Sequence, residues 1–337
     1  MLPPLPLPRP LRRRIRYYFP IFDWARKLTA GAIARDVLAG VAVAMLLIPQ
    51  GVAYSSLANV SVSIGLVSCV VPPVMYALTG HSRQSSVGPE ALAAILTGTF
   101  LASLPPEAAN QAARLLTLAV GTVMFILGVL RMGFIDATMS PPVMHGFQNA
   151  VALEIIFSQL SGLFGVSSVE EGSDHAAEGW EAAWVVLKHA GESNVCSIIL
   201  GTSTIATLLF FKQLKARMRW PLLPDTVLVL GGVTAIATLG KFGDRFDLPL
   251  LGDTSIPSGL PTPGFASHIP DVGGEEHLWT VIYGRAMANA VIIVLVGFVE
   301  AVAVSKRMSQ KYQYSCSANR ELVAFGLTNL VSACFGS

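Results

Sequence analysis

The sequence predicts an all-α protein that crosses a membrane many times, and three observations carry that prediction. Of its 337 residues, 53% are hydrophobic and only 13% are charged, about half the charge of a soluble domain. Mean hydropathy is +0.58. Apolar residues gather into runs of the roughly 20 residues that a helix needs to cross about 30 Å of hydrocarbon. The basic residues are segregated to alternate connections between those runs. A soluble globular enzyme, a disordered chain and a nucleic-acid binder all fit this composition poorly.

The elements follow in order. Residues 1–34 read as a cytosolic N-terminal tail, rich in proline and carrying Arg12, Arg13, Arg14 and Arg16. Membrane-spanning helices are predicted near 36–58, 62–79, 111–133, 143–165, 194–211, 225–241 and 281–304, with a further run beginning near Glu321. Val87 to Ser103 differs: it is apolar but too short to span, and it starts with Gly88-Pro89. Proline suits the first turn of a helix, where a missing N–H costs nothing. This segment therefore reads as a half-helix that begins inside the membrane, reached by an extended stretch from His81 to Ser86. The long acidic connections near 166–193 and 242–280 read as exposed, the first with an amphipathic piece at Trp180 to His189.

Counting the half-helix as the third crossing puts 18 of the 23 basic residues on one side, leaving Arg114, Lys188, Lys241, Arg245 and Arg285 on the other with most of the acidic ones. Positive-inside bias then places the N-terminus in the cytosol. Omitting the half-helix scrambles the pattern. The expected location is a multi-pass position in the plasma membrane rather than an internal one. Cys69, Cys196, Cys316 and Cys334 show no metal-type spacing and read as packing residues. No cofactor, metal site or catalytic constellation is expected, and the chain does not read as an enzyme.

Polar residues within hydrocarbon mark function more often than they do in soluble cores. In Ile48-Pro49-Gln50-Gly51-Val52-Ala53-Tyr54, Pro49 interrupts the helix ladder and Gly51 admits a neighbouring backbone. Gln50 and Tyr54, four residues apart, share a helix face and offer an amide and a phenol to a solute. The bland alternative is a proline kink with Gln50 bonding a neighbour. In Ser85-Ser86-Val87-Gly88-Pro89-Glu90-Ala91, a half-helix N-terminus at mid-membrane would offer backbone N–H groups and a positive dipole end to an anion. Glu90 complicates that reading, because its carboxylate competes for the same field. Either it turns away, or it is protonated when an anion binds, which makes it a coupling residue. Glu300, late in its span with Lys306 and Arg307 beyond it, is a substrate or coupling candidate; its alternative is a snorkelling carboxylate. Glu154, mid-span, reads more simply as a protonated carboxyl bonded to a neighbouring helix.

Together these stretches resemble the SulP family of anion transporters, the sulfate permeases and their relatives. Arg35-Asp36-Val37-Leu38-Ala39-Gly40 leading into Pro49-Gln50-Gly51 looks like the family's first span. Tyr76-Ala77-Leu78-Thr79-Gly80 followed by Ser82 to Pro89 resembles its third-helix motif. Leu130-Arg131-Met132-Gly133-Phe134, Gly146-Phe147 and Ser158-Gln159-Leu160 resemble parts of its fourth and fifth spans, and Asn319-Arg320-Glu321-Leu322-Val323-Ala324 to Asn329 the approach to its ninth.

The resemblance implies a fourteen-span fold of two inverted seven-helix repeats, with the third and tenth helices as half-helices facing each other across the substrate. Residues 35–275 would form the first repeat (spans 1–7) and residues 276–337 the start of the second. The remainder, including the C-terminal STAS domain common in the family, is not in this sequence. It implies substrate contacts at Gln50, Tyr54, Ser86, Val87, Gly88, Pro89, Glu90, Ala91 and Glu300, with Glu90 and Glu300 as coupling candidates. It implies transport of inorganic anions, sulfate or a related oxyanion first and bicarbonate, chloride or oxalate next, by exchange or H+-coupled symport with an elevator-like motion. H+ or Na+ would be the co-ion, and the assembly a homodimer in the lipid bilayer. Val60 to Val67 departs from the family's pattern before the second span, and Glu90 is an unusual choice for a divalent-anion site. Two alternatives remain open at this point: a non-transporting subunit or regulator of an intact relative, and a proton-coupled carrier of organic solutes.

Overall fold

The computed structural model describes residues 17–102, 104, 106–134, 141–166, 180–189, 191, 193–218, 225–246, 248, 259, 261, 263–264 and 276–336, and every regular element among them is helical. The tail 1–16 and most of the two acidic connections lie outside the described residues. The main helices are α1 (Ala30–Leu57), α2 (Val62–Ser68), α3 (Val71–Thr79), α4 (Ala91–Ala102), α5 (Pro106–Val129), α6 (Pro141–Phe164), α7 (Trp180–Lys188), α8 (Val195–Met218), α9 (Asp225–Leu239), α10 (Glu276–Lys311) and α11 (Ala318–Cys334). Among the described residues, five stretches are long and apolar enough to cross a membrane: Ala30–Leu57, Val62–Thr79, Ala108–Val129, Val195–Met218 and Ile282–Lys311. Ala91–Ala102 is shorter, as a half-helix requires.

Local chemistry explains several boundaries. Thr29 caps α1, its hydroxyl oxygen accepting from the Ala32 N–H at 3.3 Å. The helix runs through Pro49 and ends in a Schellman arrangement. Asn59 turns left-handed at φ 52°, while the N–H groups of Val60 and Asn59 return to the carbonyls of Ser55 and Ser56. The run predicted as one helix over 62–79 is a span broken between Ser68 and Val71. Pro72 and Pro73 explain the break, because each removes a backbone donor from the ladder.

The helices group into two units: Met1–Gly40, Gly51–Ser140 and Gly259–Ser337 in the first, Val41–Gln50 and Pro141–Ser258 in the second. In the first, α5 packs against both α10 and α11. Ala112, Leu116, Val120 and Met124 of α5 bury against Ala286, Ala290, Ile293 and Val294 of α10, with Phe100 and Leu101 of α4 completing the core. Small residues set the spacing. A β-carbon on Gly326 of α11 would lie 2.5 Å from the Phe125 backbone nitrogen, and one on Gly128 would lie 2.7 Å from that of Val323. Backbones in lipid approach this closely only across glycine or similarly small residues.

In the second unit, α6 contacts α7 and α8, and α8 contacts α9. Lys215 Nζ lies 3.1 Å from Asp225 Oδ1, tying the end of α8 to the start of α9. Ile199, Leu209 and Ile236 are each about half exposed or more, as helices that meet hydrocarbon require.

Candidate functional site

The N-terminus of α4 opens onto a cavity of about 220 Å³ in the first unit. Liquid water takes about 30 Å³ per molecule, so the space suits a small ion with part of its hydration. Three sets of residues build the wall. The extended segment Val87-Gly88-Pro89-Glu90 forms one side, and Tyr54 and Ser55 from the last turn of α1 form a second. Thr328 and Asn329 of α11 form a third, with Ser68, Thr97 and Thr117 adding hydroxyls. Among the described residues, no lysine, arginine or histidine lines the cavity. Attraction for an anion must therefore come from backbone N–H groups, hydroxyls and the α4 dipole, whose end carries about half an elementary charge.

The wall exists because two helices touch at glycine. A β-carbon on Gly51 would lie 2.9 Å from the Gly65 carbonyl oxygen and closer still to Cys69 Sγ, and one on Gly65 would lie 2.8 Å from Ser55 Cβ. The sequence reading of Gly51 as a point of close backbone approach matches this geometry. Tyr54, Ser55, Gly65 and Ser68 reach one cavity because α1 and α2 meet there.

The expected site residues divide. Tyr54, Val87, Gly88, Pro89 and Glu90 line the cavity together. Ala91, the first residue of α4, is buried behind it, and Ser86 is exposed on the approach. Gln50 is half-buried on α1 and groups with the second unit; it is not among the lining residues. Glu300 of α10 is half-buried, and its carboxyl lies beside that of Glu90. Glu154 lies on α6 of the second unit.

Glu90 itself departs from the picture of an open helix end. Its carbonyl accepts the first intrahelical bond, from the Ala94 N–H at 2.9 Å. Its carboxyl oxygens curl onto the same helix end: Oε1 accepts from the Leu92 N–H and Oε2 from the Ala93 N–H, each at 3.3 Å. Glu90 is therefore the N-cap of α4, satisfying two donors that the sequence reading left for a solute.

A buried network behind the cavity escaped sequence reasoning. Glu321, at the start of α11, has 0% exposure. Its Oε2 accepts from the Tyr76 hydroxyl at 2.6 Å, and its Oε1 accepts from the N–H groups of Ser82 at 3.1 Å and His81 at 3.2 Å. Cys316 Sγ lies 3.8 Å from the same oxygen. The stretch after α3 is thereby pinned to α11, with one turn at Arg83-Gln84 before it runs extended to Glu90. Tyr314 reinforces it, its hydroxyl lying 2.9 Å from Gln84 Oε1 and 3.1 Å from Ser82 Oγ. His81 Nε2 donates to the Ser315 carbonyl at 2.8 Å, and Arg320 Nη1 sits 3.4 Å from the same nitrogen. Burial first, and then the neighbouring Arg320 guanidinium, hold the His81 imidazole below its usual pKa. The one available signal was a glutamate inside an apolar run. Thr328, also missed, is 1% exposed, and its hydroxyl has no hydrogen-bond partner, an uncommon state for a buried polar group.

A half-helix that starts at a cavity with hydroxyls in its wall, within a bundle of apolar helices, is an architecture that secondary transporters use. The Sulfate permease family model matches residues 33–337, and the chain belongs to that family of membrane anion transporters. It is 29% identical over 330 residues to sulfate transporter 3.1 of Arabidopsis thaliana, covering 95% of this chain and 47% of that protein. It is also 29% identical over 333 residues to human solute carrier family 26 member 6, covering 94% and 41%. The chain thus spans about half the length of the curated relatives it matches. Among solved structures, murine solute carrier 26 family member A9 in its inward-facing state superposes with a TM-score of 0.80 at 22% identity, covering 99% of this chain and 56% of that one. The transmembrane domain of the cyanobacterial bicarbonate transporter BicA gives 0.71 at 18%, covering 92% and 74%. These likenesses bear out the all-helical, multi-pass membrane fold.

Proposed function

We propose that this chain carries the first part of the substrate pathway of a secondary active transporter, with sulfate or a related oxyanion as cargo. Transport proceeds by exchange or H+-coupled symport with an elevator-like motion. The single observation that carries this reading is the cavity at the start of α4, where Tyr54 and the buried Thr328 hydroxyl meet a helix N-terminus. Membership in a family of anion transporters favours an anion over an organic solute. The same proposal includes a cytosolic N-terminus, a homodimer in the plasma membrane, and the repeat division at 35–275 and 276–337.

The test is uptake of radiolabelled sulfate into vesicles carrying the full-length protein, with unlabelled bicarbonate, chloride and oxalate as competitors. Tyr54→Phe, Glu300→Gln and Thr328→Val should each lower uptake while protein in the membrane stays constant. A hydrogen bond to a charged partner is worth about 1.5–3 kcal/mol, so losses of roughly ten- to a hundredfold in uptake efficiency are expected. Unchanged uptake in all three variants would remove this site assignment.

A further inference from the structure

The carboxylate at the mouth of α4 is in the wrong place for a simple anion site. The Leu92 and Ala93 N–H groups are the donors that an oxyanion at this helix end would take, and Glu90 already holds both. An ionised Glu90 and an oxyanion cannot share them, since each repels the other across a cavity that no cationic side chain lines. Two further observations point to a ligand beyond the helix end itself. The Thr328 hydroxyl beside the cavity is buried and unpartnered, and a second carboxyl, Glu300 of α10, faces Glu90.

We propose that Glu90 is a tethered competitor: its own carboxylate fills the anion-binding end of α4, and an oxyanion enters as that carboxylate takes up a proton and leaves the Leu92 and Ala93 N–H groups. This inference rests on the anion-transporter reading and deepens it by coupling anion entry to a proton. The titratable groups facing Glu90 are Glu300 from α10 and the Tyr54 phenol from α1. Those lining the cavity from α2, α3, α5 and α11 are neutral: Ser68, Pro72, Thr117 and Asn329 among them. Glu300 is the natural partner. Two ionised carboxyls side by side repel, whereas one proton between them turns repulsion into a charge-assisted hydrogen bond. When Glu90 bonds to Glu300 through that proton it releases the helix end, and the anion then takes the vacated donors. One proton is bound as one anion is bound, which makes the coupled step a symport.

The two carboxyls predict opposite effects, which keeps the test independent of simple misfolding. Sulfate, oxalate and chloride hold constant charge between about pH 5.5 and 8. Each is titrated against the purified full-length protein, with intrinsic tryptophan fluorescence as the readout. The wild type should bind more tightly as pH falls. Glu90→Gln should bind about fivefold more tightly at neutral pH, the scale set by losing one N-cap of roughly 1 kcal/mol, and its affinity should no longer depend on pH. Glu300→Gln offers a protonated Glu90 an uncharged and therefore weaker acceptor away from the helix end, so it should bind more weakly than wild type across the window. Equal anion affinity and an equal pH profile in wild type and Glu90→Gln would overturn the tethered competitor and leave the anion reading standing. Should none of the three anions bind wild type or Glu90→Gln, the anion reading itself fails and the inference falls with it.

Discussion

Truncating Glu321 is the sharpest test of how the approach to α4 is held. Glu321→Ala leaves three donors behind: the Tyr76 hydroxyl and the N–H groups of His81 and Ser82. Each buried polar group left without a partner costs about 1–3 kcal/mol. Three of them sum to roughly 3–6 kcal/mol after allowing for water that enters the gap, which is in the range reserved for the most damaging substitutions. Glu321→Gln keeps one oxygen for the two N–H groups and presents an amide to a hydroxyl that can rotate to accept, so it should cost no more than about 1–2 kcal/mol. Tyr76→Phe retains the stack on Phe325, with ring centroids 5.1 Å apart, and should also cost about 1–2 kcal/mol, mostly from the lost hydroxyl. The assay is the thermal unfolding midpoint of the purified protein in detergent, read beside sulfate uptake. The expected order is Ala far below Phe and Gln, both of them modestly below wild type. A Glu321→Ala midpoint equal to that of wild type, or a Gln variant as damaged as Ala, would refute the account of Glu321 as an acceptor for backbone and phenol.

Two further predictions rest on separate parts of the molecule. Gly51→Val should lower the midpoint by the equivalent of about 1–3 kcal/mol through overpacking, because its β-carbon meets the Gly65 carbonyl and Cys69. Gly40→Ala on the same helix has nothing within 4 Å and should be neutral or slightly stabilising, and parallel unfolding curves check both. The depressed His81 pKa means that the unfolded chain binds the proton more readily, so wild-type stability should fall as pH drops from about 6.5 through the lower folded value. His81→Gln should flatten that part of the midpoint-against-pH profile.

Much of the fold was legible because hydrocarbon imposes a simple rule: a backbone that crosses it must satisfy itself. Runs such as 194–211 and 281–304 therefore read as helices on length and composition alone, and Gly88-Pro89 announced where a helix starts. Gly51 was readable as a contact, though its partner, Gly65, was not, since pairing between helices leaves no periodic trace in either one. The break before Pro72 was available from the two adjacent prolines but is masked by the apolar run around it. The site was legible in halves. Tyr54 and the stretch from Val87 to Glu90 stood out because polar or helix-breaking residues in lipid are costly. Thr328 and Tyr76 did not, because a threonine or tyrosine in an apolar helix is ordinary and only the fold brings Tyr76 to a residue 245 positions away. The side chain of Glu90 does not turn away from the helix end. Capping its own helix satisfies two donors locally, an outcome that a residue three positions or fewer from its partners can reach without help from the rest of the fold.

The proposed proton coupling turns on the charge of the cavity. The end of α4 offers about half an elementary positive charge, and an ionised Glu90 brings a full negative one, so the pair is net repulsive to cargo before any anion arrives. Among the described residues no lysine, arginine or histidine lines the cavity, and none of them reverses that sign. Hydroxyls such as Thr328 can orient toward an oxyanion, but they supply dipoles rather than charge. A site that admits an anion without a proton would place a small neutral residue at position 90, leaving the Leu92 and Ala93 N–H groups open. Position 90 holds a carboxylate instead, with a second carboxyl, Glu300, against it. In that setting a proton on Glu90 removes one negative charge and would free two donors in the same event.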